Sequence, residues 1–286
     1  MLNNLLLLIT AAIWGFAFVA QRMGMESLDP FTFNAIRFAI GALFVWLLYA
    51  RKAKSDRAFP WLMGTVLFVA ASLQQIGVMY TSAGSAGFIT GLYVVIVPIM
   101  GIFRQQKLKP QIVIAVILAT LGMFLINRPE SLEVSFGNLL VLLSAGFFAW
   151  HVQLVGYYTT KYETGYLAYS QFAICAIYSA VGAVVWNLVK EPGYLISPKL
   201  GADILHAGLP LLYGGLLSVG IAYTLQIKAQ KKAEPVKAAI ILCSESVFAL
   251  FGGWLILHEE IGIRTLIGAA LLLLAMLFSV TKQLFD

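Results

Sequence analysis

A single glutamate, a single arginine and a single histidine stand far inside long apolar runs of this 286-residue chain: Glu245, Arg37 and His151. A charge at the centre of a membrane helix costs at least ~2.5–3.5 kcal/mol, so each demands a reason. Glu245, near mid-helix, reads as a proton or cation-substrate site. It reads equally as a carboxyl hydrogen-bonded to Ser244, Ser246 or helix ends. Arg37 can take a carboxylate, snorkel to the surface, or pair with a backbone end. His151 reads as a pH-sensitive site residue or as a hydrogen-bonded packing residue. Buried amides need partners, so Gln74, Gln75, Gln153, Gln171 and Gln226 must face other helices or a wet cavity. Trp14, Phe18, Tyr93, Trp150, Tyr157 and Tyr223 are aromatic candidates beside them, with lipid-facing or belt positions as the alternative. Together these residues suit a polar organic substrate rather than bond-breaking chemistry.

The elements that position them follow from composition. The chain is 60% hydrophobic and 11% charged, with mean hydropathy +0.88. Soluble domains are about 45–50% apolar and about 25% charged, so a soluble or disordered protein is excluded. At about 20 residues per span, the pattern predicts an all-α integral membrane protein with ten transmembrane helices: about 4–23, 31–50, 60–80, 85–103, 109–127, 137–157, 166–188, 206–227, 236–257 and 263–282. Pro30, Pro60, Pro110 and Pro235 sit before or at helix starts, where a missing N–H is tolerated. The first run is of span length with no basic start, so it reads as a retained helix rather than a secretory signal.

Of the 19 Lys and Arg, thirteen fall on the side of the N-terminus. Five (Arg22, Arg128, Lys190, Lys199, Arg264) fall on the other, and Arg37 lies within helix two. The positive-inside rule then places both termini in the cytoplasm of a plasma (inner) membrane. The net charge of +6 is a topology signal, with no nucleic-acid partner. Cys175 and Cys243 lie in separate apolar runs and form no disulfide or metal pattern. No metal or other cofactor is expected.

The halves resemble one another. Arg37-Phe-Ala-Ile-Gly41 lies over Gln171-Phe-Ala-Ile-Cys175, and the same offset lays Trp14 on Phe148 and Ala11 on Ala145. Val97-Pro98 falls near Glu245-Ser246, and Gly122-Met123 near Ala275-Met276. The expected organisation is a five-helix repeat over 1–128 and another over 136–286. Five is odd, so the copies are inverted, as in many secondary transporters. Gly87-Phe-Ile-Thr-Gly91 and Ala11/Gly15 mark close packing. Pro98 and the glycine-rich 214–220 run permit bending. Helices five and ten, poorest in polar residues, read as scaffold or as the surface of a homodimer.

Enzyme motifs are missing. His258-Glu259-Glu260 lacks the second histidine of a zinc H-E-x-x-H. There is no G-x-S-x-G elbow and no P-loop.

On Trp14-Gly15, Arg37, Tyr80-Thr-Ser-Ala83, Pro98, Glu245-Ser-Val-Phe-Ala-Leu250 and His258-Glu259-Glu260, nearly the whole chain resembles the ten-helix EamA-type carriers of the drug/metabolite transporter superfamily. It departs from them at Ser246, where proline is common, and at Arg104-Gln-Gln-Lys107, where an acidic residue is usual. The resemblance implies a small-molecule substrate and a central cavity lined by all helices except five and ten. It implies export, or less often import, of small metabolites.

The expected function is secondary transport of an amino acid or related metabolite, in the export direction, by alternating access, with Glu245 as the proton-coupling candidate. Uptake of a vitamin, sugar or nucleotide-sugar is the alternative within the class. A channel or non-transporting membrane protein is the alternative outside it; a pore would want rings of like polar residues along a path.

Overall fold

The computed structural model describes residues 2–49, 59–81, 83–103, 105, 109–127, 135–257 and 261–280. The basic cluster at 51–57, Ser82, Arg104, Gln106, Lys107, Arg128, His258-Glu259-Glu260 and Lys282 lie outside the described residues.

Every regular element among the described residues is helical. The helices are α1 (Leu2–Gly24), α2 (Pro30–Leu48), α3 (Trp61–Met79), α4 (Ala83–Gly91), α5 (Tyr93–Phe103), α6 (Pro110–Asn127), α7 (Phe136–Tyr158) and α8 (Thr164–Lys190). Then come α9 (Pro198–His206), α10 (Gly208–Leu212), a π-helical segment (Tyr213–Tyr223), α11 (Thr224–Gln230), α12 (Pro235–Leu242), α13 (Glu245–Leu257) and α14 (Ile263–Val280). Seven helical stretches are long and apolar enough to cross a membrane, and three shorter apolar runs accompany them.

Proline and short polar residues set the starts. Asp29 caps α2, its carboxylate accepting from the backbone N–H groups of Phe31 and Thr32, and Pro30 fills the first turn. Ser135 caps α7 by accepting from Asn138 N.

Three of the helices expected to be continuous are not. The helix read over 85–103 divides at Leu92 into α4 and α5. The one read over 236–257 divides at Cys243-Ser244. In lipid, carbonyls freed by a break must find partners inside the protein. Here Cys243 Sγ and Ser244 Oγ supply them, donating to Ile240 O (3.0 Å) and Ile241 O (2.6 Å). Residues 206–227 are not one α-helix either, because the backbone from Tyr213 to Tyr223 is π-helical. α1 stitches itself to that segment. Thr10 Oγ1 donates to Ala222 O (3.2 Å), Trp14 Nε1 to Ser218 O (3.2 Å), and Tyr213 OH returns a bond to Ile13 O (2.8 Å).

Pairs of helices pack antiparallel along their length. Asn187 at the end of α8 donates to Asp29 at the start of α2, while Tyr49 after α2 rests on Gly165 at the start of α8. Tyr80 after α3 meets Gly137 in the first turn of α7. Gln111 Nε2 at the start of α6 donates to Phe278 O near the end of α14, and Gly122 lies against Gly268 and Leu272 between them. α1 packs on both the π-helical segment and α13, and α7 packs on both α3 and α5.

The polar side chains of the spans lie inside, within an otherwise apolar core, and the outer surface is apolar. Arg37, Gln74, Gln75, His151, Gln153, Gln171 and Glu245 are buried, whereas Leu43, Leu47, Val181, Val185 and Leu277 are exposed. This inversion is the expectation for hydrocarbon solvent, where charge hidden among helices is cheaper than charge facing lipid.

The tightest backbone approach bears on the interior. A Cβ on Gly15 would sit 2.5 Å from Phe248 Cβ and 2.6 Å from Glu245 O. Gly15→Val must therefore push α13 away and is expected to lower stability by ~1–3 kcal/mol. Gly146→Ala, where a Cβ meets nothing within 4 Å, is expected to hold or slightly raise it. Thermal melting of the two purified variants beside wild type checks this; equal melting of Gly15→Val and wild type would contradict the packing.

Candidate functional site

The broken and widened helices converge on one partly open cavity of about 50 Å³. That is smaller than the ~300–1,000 Å³ of drug-sized sites. It matches a small ligand, or a state in which the helices must part to admit one.

α1 presents Trp14, Phe18 and Gln21 at spacings that share one helix face. Arg37 of α2 and Gln74 of α3 enter from the neighbouring helices, Thr90 and Tyr93 from either side of the α4/α5 break. Phe148 and His151 come from α7. The π-helical segment and α11 contribute Ser218, Tyr223 and Gln226. Glu245 sits at the first residue of α13, directly after the second break, with Leu242 before it. Helix breaks thus place both Tyr93 and Glu245 at the starts of half-helices.

Arg37 is 4% exposed and Glu245 is 4% exposed. Arg37 Nε donates to Asn34 Oδ1 at 2.8 Å, and its guanidinium lies 5.5 Å and 5.1 Å from the ring centroids of Phe33 and Phe38. The side chain is therefore anchored through one nitrogen and held against aromatic faces. Neither Arg37 nor Glu245 takes part in the ion pairs among the described residues, which are Lys199–Glu191 and Lys237–Glu234 at exposed positions. Glu245 Oε1, Tyr93 OH, Gln226 Oε1 and Gln21 Oε1 are buried acceptors without a hydrogen-bond partner among the described residues. A fully buried acceptor left unmade costs ~1–3 kcal/mol. Four around one cavity make a surface that favours a ligand rich in N–H or O–H groups.

Aromatic rings close the walls. Tyr223 is the hub, 4.6 Å from Trp14, 5.9 Å from His151 and 5.9 Å from Phe172 by ring centroids. Hydrogen bonds behind the cavity hold its polar residues. His151 Nε2 pairs with Gln171 Oε1 at 2.7 Å. Gln74 Nε2 donates to Thr90 Oγ1 at 3.1 Å. Gln226 Nε2 donates to Gln230 Oε1 (2.9 Å), and Gln230 Nε2 donates onward to Val152 O (3.0 Å).

Nine of the twelve substrate-contact candidates meet here: Trp14, Phe18, Arg37, Gln74, Tyr93, His151, Tyr223, Gln226 and Glu245. Three do not. Gln75 is fully buried away from the cavity wall, with neither amide atom hydrogen-bonded. Gln153 Nε2 donates to Val97 O at 3.0 Å and ties α7 to α5. Trp150 packs beside Phe147. The reason is helical phase: consecutive residues point about 100° apart, so of Trp150, His151 and Gln153 only one faces the cavity. Tyr157 lies far from the cavity, stacked edge-on with Tyr158 near the end of α7.

Gln21, Thr90, Phe148 and Ser218 line the cavity and went unrecognised as candidates in the sequence. The repeat alignment of Trp14 with Phe148 was the available signal for one of them. Spacing from Trp14 and Phe18 was the signal for Gln21. α6 and α14 stay out of the wall, in line with the family resemblance. α8 also stays out, against it, and reaches the site from behind, through Gln171 on His151 and Phe172 on Tyr223. No group of three or more metal-ligating side chains occurs among the described residues, and Cys175 and Cys243 are free and buried.

Comparison with known proteins places this arrangement. A solved crystal structure superposes with a TM-score of 0.77 at 16% identity, covering 97% of this chain and 96% of that one, which establishes a shared fold. Among relatives, an uncharacterized transporter of Archaeoglobus fulgidus is 29% identical over 95% of this chain and 83% of its own length. The uncharacterized transporter YoaV of Bacillus subtilis is 24% identical over 91% of this chain and 90% of its own. The model of the EamA-like transporter family matches twice, over residues 1–128 and 135–281. The protein is a multi-pass membrane transporter and not an enzyme. The chain belongs to the EamA-like transporter family.

Proposed function

We propose that the chain is a secondary carrier that exports a small zwitterionic metabolite, an amino acid or close relative, across the plasma membrane. The observation that carries this reading is that one cavity is lined by a buried guanidinium, Arg37, and a buried carboxyl group, Glu245, neither of them in an ion pair among the described residues. Each is costly in hydrocarbon. A substrate carrying a carboxylate and an ammonium neutralises both at once. The unpartnered oxygens of Tyr93, Gln226 and Gln21 add acceptors for the ammonium protons. Arg37, held by Asn34 through Nε, retains its terminal nitrogens for a carboxylate.

The architecture on this reading is ten spans in two inverted five-helix halves that rock about the midplane site. The double family match supports two copies. The pairing of helices supports inversion. α2 with α8, and α6 with α14, are mutual partners under exchange of halves; α3 on α7 exchanges with α1 on the π-helical segment. Three short apolar runs added to seven long ones support the count. The excess of Lys and Arg on the N-terminal side supports cytoplasmic termini. The outer faces of α6 and α14 are left to lipid or to a second copy.

Glu245 is the coupling residue in this scheme, alternating between proton and substrate ammonium. In proteoliposomes, Glu245→Gln is expected to abolish flux driven by a pH gradient, while exchange between preloaded and external amino acid persists at saturating substrate. Undiminished driven flux would remove Glu245 from coupling.

Arg37→Gln is expected to raise the half-saturating concentration of an amino acid by about 10- to 100-fold, the worth of a hydrogen bond to a charged group. The corresponding amine, lacking the carboxylate, is expected to be handled equally by wild type and variant. A counterflow panel of amino acids, vitamins and sugars tests the class. Trans-stimulation by sugars alone, or linear non-saturating flux, would overturn the zwitterion reading or the carrier reading respectively.

A further inference from the structure

A second concavity lies on the outer surface of the bundle, away from the substrate cavity. It measures about 670 Å³ and runs between the first turn of α2, the middle of α3 and the outer half of α8. Its floor is a continuous aromatic strip. The ring of Phe31 lies 5.8 Å from Trp186 and 6.5 Å from Phe68, and Phe68 lies 5.4 Å from Tyr178. Gly182 lets that floor form, since a Cβ there would sit 2.5 Å from Phe31 Cδ1. The rim is aliphatic and exposed: Ile177, Val181, Val185 and Val189 repeat along one face of α8.

One charge ends the groove. Lys190 closes α8 and lines the concavity, and it takes no part in the ion pairs among the described residues. The next residue, Glu191, is already paired with the exposed Lys199 in the first turn of α9. Water therefore begins at Lys190. From Lys190 back to Ile177 is thirteen residues, about 20 Å at ~1.5 Å per residue. One leaflet of a ~30 Å hydrocarbon core is about 15 Å deep. The groove thus runs from the interface through a leaflet, apolar along its length and cationic at its wet end.

We propose that this groove is a binding site for one anionic phospholipid, its acyl chain on the Phe31–Phe68–Tyr178–Trp186 floor and its phosphate at Lys190. Charge complementarity selects the occupant, because an uncharged chain alone leaves the lysine unused at the mouth. Phe31 stands in the first turn of the helix that carries Arg37, so the lipid buttresses α2 from outside. The inference does not depend on the substrate assigned to the central cavity.

The test uses the purified full chain in detergent, titrated with phosphatidylglycerol carrying brominated acyl chains. The Trp186 signal is isolated as the difference between wild type and Trp186→Phe. Quenching is expected at about fivefold lower lipid than with phosphatidylcholine of the same chains, the effect of about one lysine–phosphate contact. Lys190→Gln is expected to remove that preference while leaving phosphatidylcholine unchanged. Val185→Phe, which fills the groove from its exposed rim, is expected to weaken quenching by both lipids. Equal potency of the two lipids on wild type, or an unchanged preference in Lys190→Gln, would overturn the proposal. So would competition by soluble glycerol phosphate, or shielding of Trp186 that vanishes when a dimer is diluted to monomer.

Discussion

Charge in hydrocarbon is expensive, and the interior of this protein is arranged around that expense. Arg37 sits against two phenylalanine rings and is tethered by Asn34, whose own amide reaches Ala71 O. Glu245 lines the same cavity with an oxygen left unpartnered. An isolated structural carboxyl would be expected to find donors as Asp29 does at the start of α2. The remaining acceptors in the cavity wall share the same incompleteness. A protein that merely held its helices together would gain by satisfying or deleting these groups. Their retention around one space is what the transport reading explains.

The same solvent governs the backbone. A helix can break in a membrane only where side chains or neighbouring helices take up the freed hydrogen-bonding groups. Cys243 and Ser244 do so at one break, and α1 does so along the π-helical segment through Thr10 and Trp14. These irregular places are where Tyr93, Ser218, Tyr223 and Glu245 enter the cavity. The glycines 214 and 215 let that segment lie against Arg37 and Ile40 of α2. Irregularity and polarity therefore coincide at the centre, while the long regular faces of α8, α6 and α14 turn outward.

Much of this is written in the order of residues. A 60% apolar chain whose apolar runs are about 20 residues long reads as a helical membrane bundle, because lipid tolerates only internally bonded backbone and runs of that length suit a spanning helix rather than a barrel strand. Rarity singled out Arg37, His151 and Glu245, since an ionisable group in an apolar run is seldom idle. The repeat of Arg37-Phe-Ala-Ile at Gln171-Phe-Ala-Ile marks two related positions, and both bear on the cavity. Arg37 does so from the wall and Gln171 from behind His151.

Packing decided the rest. Periodicity cannot locate a break in a uniformly apolar run, so the divisions at Leu92 and Cys243-Ser244 and the π-helical stretch emerge only in the folded bundle, where α1 takes carbonyls of the π-helical stretch and Cys243 and Ser244 take those of their own last turn. Nor can composition tell adjacent glutamines apart. Gln74 faces Thr90 and the cavity whereas Gln75, one residue and about 100° further round α3, does not. Gln153 and Trp150 lose their place to His151 by the same rotation. The kinds of residue were set by the chemistry of burial, legible in the chain. Their directions depend on how each helix is rotated against its neighbours, and that is a property of the assembled bundle.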